Sequence, residues 1–153
     1  MKWIKGLFAL AISFIIVAIV AGITSFLVRT DTAWFVNLEL PDMPSSIIIE
    51  LVWTGLYILL ATYVVRLCIV SAPKMLFVLT GLQFLGQILC CLFFFRVHFE
   101  WISLLLILGI TIAAFVQIAC TVRYDIMSVW LLLPYVIWLS YLCSLAYLIV
   151  MMN

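Results

Sequence analysis

Residues 33–58 read AWFVNLELPDMPSSIIIELVWTGLYI. This is the longest polar break in the chain, holding Glu39, Asp42 and Glu50 of the six acidic residues and Pro41 and Pro44 of the four prolines. It turns directly into an apolar helix carrying Trp53 and Tyr57, four apart and so on one helical face. Apolar segments stand on both sides of it. The stretch reads as the lid and one wall of a ligand pocket sunk into a membrane bundle.

Composition supports the membrane. Hydrophobic residues make up 70 % and charged residues 8 % of the 153, and the mean hydropathy is +1.46. Soluble domains carry roughly a quarter charged residues, so this chain cannot cover itself with polar surface. Five segments are long enough to span a bilayer at about 20 residues each: 6–28, 46–70, 75–95, 102–122 and 128–152. The expectation is an all-α integral membrane bundle of five transmembrane helices with a long first loop, forming one domain over 1–153.

The first segment follows Lys2 and Lys5 as a signal peptide would. Its uncharged run from Gly6 to Val28 outlasts a cleavable core of about 7–15 residues, so it reads as a retained span. Lys2, Lys5, Arg66, Lys74 and Arg123 fall on one side of the membrane, against Arg29 and Arg96 on the other. That imbalance predicts a cytoplasmic N-terminus and an external first loop. The net charge of +1 and the lack of a basic stripe predict no nucleic-acid partner.

Polar residues inside the segments are few. Thr24 and Ser25 can bond back to their own helix carbonyls, and Ser45 or Ser46 can cap the second span. Glu50 reads first as an acid near the headgroups, second as a ligand contact. Gln83 and Gln87 share a face, with Gly86 and Cys90 as a small-xxx-small pair beside it. That pattern suits a helix-packing or homodimer seam, and a homodimer through this third span is expected; Gln87 is alternatively a ligand contact. Gln117 reads as a bond to a neighbouring helix, and His98 as a solvated loop residue without a role. The five cysteines match no zinc or haem pattern and read as packing residues. In the fifth span Trp130, Pro134, Trp138, Tyr141 and Leu145 form one stripe, with Pro134 expected to bend the helix. There is no Ser-His-Asp set, phosphate loop, metal cluster or pair of carboxylates on an apolar face, which argues against hydrolysis, phosphoryl transfer and metal catalysis.

The last segment, WLLLPYVIWLSYLCSLAYLIVMMN, resembles the final helix of the TspO/MBR family, the tryptophan-rich sensory or translocator proteins. Leu132, Pro134, Tyr135, Trp138 and Asn153 fall on the family's L-x-P-Y-x-x-W pattern and its terminal asparagine. Trp34-Phe35, Leu38, Pro41, Val52-Trp53, Leu56 and Tyr57 resemble its central motif. The chain departs from the pattern at Met43 (usually aromatic), at Pro44 (usually paired with a second proline), and at Gly86, Leu89, Leu104 and Ala146. No basic residue follows Tyr147, so the cholesterol-type pattern is absent.

The resemblance implies a pocket between the first, second, third and fifth spans, closed by the first loop. It implies a tetrapyrrole ligand such as protoporphyrin IX or haem, not covalently bound, with light-dependent porphyrin oxidation at Trp53 and Trp138. Trp34, Pro44, Trp53, Tyr57, Gln87, Pro134, Tyr135, Trp138 and Tyr141 are the expected ligand contacts. A bacterial cytoplasmic membrane is the expected location. Two alternatives are a transporter of porphyrin or another apolar metabolite, and an interaction subunit of a larger membrane complex.

Overall fold

The structure, a computed structural model, describes residues 2–153 and the side chains from residue 6 onward. Lys2 and Lys5 therefore enter the charge count by sequence alone. Six helices form: α1 Lys2–Leu27, α2 Ala33–Val36, α3 Ser46–Ile69, α4 Lys74–Leu92, α5 Glu100–Thr121 and α6 Ile126–Met152. Five are long and apolar enough to cross a membrane, and α2 is a single turn within the first loop. No strand occurs among the described residues. The fold is the expected all-α membrane bundle.

Around the bundle the spans neighbour one another in the order α1, α3, α6, α5, α4 and back to α1. Leu7, Phe8, Leu51, Leu82, Leu105 and Ile137 stand out from its surface. In water such a surface would be untenable, whereas lipid tails are as apolar as leucine. Packing therefore rests on close contact and on interhelical hydrogen bonds. Gly86 shows the first: a Cβ there would come within 2.8 Å of the Ile110 side chain of α5. Cys90 and Ser103 continue the same line, Ser103 Oγ donating to the Cys90 carbonyl at 3.4 Å. The seam read from Gly86 and Cys90 thus joins α4 to α5 within one chain. It is a helix-packing seam.

Gln83, Thr80, Gln117, Tyr63 and Thr121 show the second. Gln83 donates to Gln117 Oε1, and Gln117 Nε2 donates to Tyr63 Oη at 2.9 Å and to Thr80 Oγ1 at 2.8 Å. Thr121 closes the set 3.0 Å from the Tyr63 hydroxyl. Three helices meet in this cluster, in the half of the bundle away from the first loop.

Helix ends differ from expectation in three places. Ser45 stands at the N-cap of α3, but its side chain caps nothing. Asp125 caps α6 instead, accepting from the Met127 amide at 3.3 Å, which starts that helix two residues early. The end of α4 winds on through a π-helical turn, Phe93–Val97, and stops at His98 in the left-handed region (φ 62°). The α6 helix runs without interruption through Pro134. All five cysteines are free, and Cys68 is exposed rather than packed.

Candidate functional site

The first loop closes one end of the bundle. In α2 the Trp34 indole lies edge-on to Phe94 at 5.4 Å and to the His98 ring at 4.3 Å, while Phe35 stacks on Phe95 at 5.8 Å. Thr32 caps this short turn, accepting from the Phe35 amide at 3.3 Å. His98, expected to have no role, is part of the seat on which the loop rests. Beside it Arg96 donates to the Phe26 carbonyl at 3.0 Å and lies 5.2 Å over the Phe26 ring, tying the end of α4 to the end of α1. Asn153 holds the far half of the loop: its Oδ1 accepts from the Glu39 amide at 2.9 Å and its Nδ2 donates to the Glu39 carbonyl at 3.0 Å. Glu50 is exposed on the first turns of α3, as the headgroup reading requires.

Beneath the loop, four spans send polar and aromatic side chains into the interior. Trp53 and Tyr57 stack at 5.4 Å with their rings 29° apart. The Tyr57 hydroxyl meets Thr24 Oγ1 of α1 at 3.1 Å, a partner that helix periodicity alone does not reveal. Thr24 also makes the expected bond to the Val20 carbonyl at 3.0 Å. From α6, Tyr135 is wholly buried and accepts from Gln87 Nε2 of α4 at 3.4 Å. Trp138 tilts against Tyr141 at 5.3 Å. Trp53, Tyr57 and Trp138 are half-buried against the same apolar core that contains Tyr135.

Not every expected contact points inward. Pro134 and Trp130 are exposed on the outside of α6, so the fifth-span stripe is only partly internal. Pro44 is half-buried in the loop. Gly86 faces α5, and the interior amide comes from its neighbour Gln87.

Two buried polar atoms have no partner: Gln87 Oε1 and Trp138 Nε1. Among the described residues they are the only such side-chain atoms. In hydrocarbon no water stands ready to satisfy them, and a bare buried group costs on the order of 1–3 kcal/mol. Turning the Gln87 amide over would let Tyr135 donate to it, but would still leave one amide atom bare.

Two hollows lie elsewhere. A groove of about 250 Å³ follows the α4–α5 seam past Gly86 and Gly109, and one of about 170 Å³ sits at Pro73, Cys120, Arg123 and Tyr124. Neither is lined by Trp53, Tyr57, Tyr135 or Trp138.

The TspO/MBR family pattern matches residues 11–152, nearly the whole chain. The chain belongs to the TspO/MBR family. Comparison with curated proteins gives no match. TspO/MBR membership, together with five spanning helices, makes this an integral multi-pass membrane protein, with tetrapyrrole binding or transport as the family-level role. Among the described residues no group of three His, Cys, Asp or Glu side chains is placed to hold a metal ion.

Proposed function

We propose that this protein is a membrane receptor for a tetrapyrrole, taken into the interior between α1, α3, α4 and α6 beneath the first loop. The observation that carries the reading is the pair of bare buried atoms, one acceptor on Gln87 and one donor on Trp138. A free-base porphyrin brings both complements: pyrrole N–H groups that donate and carboxylates that accept. Its flat apolar faces suit Trp53, Tyr57, Trp138 and Tyr141, each aromatic pair contributing about 0.5–1.5 kcal/mol beyond area burial. A few placed polar groups in an otherwise apolar surround then fix its orientation. Under illumination an excited porphyrin sensitises dioxygen or takes an electron from a nearby indole. Trp53 and Trp138 are the indoles in reach of that chemistry. The basic-residue count places the loop outward, and a bacterial cytoplasmic membrane is the location we propose.

Titration of the purified protein with protoporphyrin IX tests this. We expect saturable quenching of tryptophan fluorescence that disappears in the Trp53→Ala, Trp138→Ala double variant, and light-driven loss of porphyrin absorbance faster than in detergent alone. Quenching of equal depth and affinity in the double variant defeats the proposal.

A further inference from the structure

The first loop is held by two kinds of contact. Its near half, α2, is seated on rings through Trp34 and Phe35. Its far half, residues 37–45, is hydrogen-bonded to the flanking helices α2 and α3 at its two ends, and among the described residues it reaches any other helix only at Glu39, through Asn153. The two residues are 114 apart in sequence. The contact is reciprocal, amide to carbonyl oxygen and amide nitrogen to carbonyl, so it recognises backbone and not the Glu39 side chain. A third bond, Asn153 Nδ2 to the Ile149 carbonyl at 2.9 Å, fixes the direction of the Asn153 side chain on the last turn of α6.

We propose that Asn153 is a latch that holds the first loop shut over the bundle. Both Asn153 and Glu39 are exposed. Water replaces such bonds at small net cost, so the contact opens and recloses readily. The aromatic seat at Trp34 and Phe35 acts as the hinge side, because separating those rings exposes apolar area each time. Opening at Glu39 uncovers the end of the bundle under which Trp53 and Tyr57 lie. Passage of a large ligand to those residues runs through this opening. This last step rests on the receptor reading above, while the latch itself does not.

Two measurements separate them. In the Asn153→Ala variant, hydrogen exchange at the Glu39 amide should quicken about tenfold, with exchange in the middle of α6 unchanged. Stopped-flow quenching by protoporphyrin IX should show association and dissociation both faster by a similar factor, leaving Kd little changed. A latch raises a barrier that both directions cross, so its loss speeds both; a residue needed only for the bound structure would weaken Kd instead. Asn153→Asp keeps the acceptor for the Glu39 amide and loses both donors, and should fall between. Pairing Glu39→Cys with Asn153→Cys and oxidising should slow porphyrin exchange, with reduction restoring it. Unchanged exchange at Glu39 in Asn153→Ala overturns the latch. Faster exchange with unchanged porphyrin kinetics overturns its gating role. Faster exchange in a protein that no variant allows protoporphyrin to quench leaves the latch standing and removes the receptor reading.

Discussion

Gln83 and Gln87 stand one helical turn apart on α4, about 6 Å along its axis, and both are nearly fully buried. Their surroundings differ sharply. Gln83 enters a cluster in which Gln117 alone serves Tyr63 and Thr80 as well. Gln87 has one long bond to Tyr135 and a bare carbonyl oxygen, with the bare Trp138 N–H on α6. The same side chain therefore does two jobs: in the half away from the loop it joins helices, and in the half under the loop it is left open. A membrane interior tolerates few bare groups. On the receptor reading proposed above, the bare atoms on Gln87 and Trp138 are where a ligand supplies the partners.

The largest expected effect attacks the closed half. Gln117→Leu removes three interhelical contacts, strands Gln83 and leaves the Tyr63 hydroxyl with Thr121 alone. At the membrane average of about 0.6 kcal/mol per bond, with added cost for groups left bare, it should destabilise by about 2–3 kcal/mol in detergent unfolding. Gln87→Met, which gives up one long bond and one unsatisfied oxygen, should cost less than about 1 kcal/mol. Equal losses in the two variants would erase the distinction between the halves.

Next comes Trp138→Phe, which keeps most of the ring area but deletes the bare N–H. Removing an unsatisfied donor should leave thermal stability unchanged or slightly higher. Losing a hydrogen bond to the ligand should weaken protoporphyrin affinity by about tenfold, close to 1.4 kcal/mol. A lower Tm with unaltered affinity would mean that the indole merely packs.

How much of this was legible beforehand follows from what each residue depends on. The five spans and the long loop were readable, because hydropathy and proline placement are local. Gln117 as a bond between helices was readable too, since a lone amide in an apolar span has little else to do. Gln83 and Gln87 looked alike because both lie on one helical face; only the neighbours brought by α5 and α6 separate them. The pairing of Gly86 with Ile110 was invisible for the same reason, and so the small-residue seam read equally as helix packing or as a homodimer contact. Asn153 could be matched to a pattern but not to Glu39, since nothing local links positions so far apart. Which of the expected contacts turn inward depended on helix rotation, and Pro134 turned out.

A smaller effect tests the link across the open half. Thr24→Val is nearly isosteric and removes the α1 partner of Tyr57, 3.1 Å away. It should cost about 0.6 kcal/mol, and should loosen Tyr57 enough to change protoporphyrin affinity modestly. The matching change in the closed half, Thr121→Val, also deprives Tyr63 of a partner, but Gln117 still serves that hydroxyl. It should leave protoporphyrin binding untouched.

The smallest effect lies at the bundle end opposite the loop, where water can substitute for any lost partner. Asp125 accepts from the Ser128 hydroxyl at 2.5 Å, from Arg66 at 2.8 and 3.0 Å, and from the Met127 amide at 3.3 Å. The Ser128 hydroxyl foremost, with the Arg66 guanidinium and the Met127 amide, holds its carboxyl below the usual range against partial desolvation. A carboxylate with a lowered folded pKa adds stability that is fully present above its unfolded value, about 3.9. That contribution fades as pH falls through the lowered folded value. Asp125→Asn should therefore be less stable than wild type at neutral pH, and the gap should close on acidification below about pH 4. Because the pair is partly open to solvent and to salt, the gap should be small and should shrink further as ionic strength rises. A gap as wide as that of Gln117→Leu, or one that ignored salt, would mean that satisfaction of polar groups matters as much at the water's edge as in the apolar interior. The contrast between Gln83 and Gln87 would then say nothing about a ligand, since bare and paired groups would carry the same weight wherever they lay.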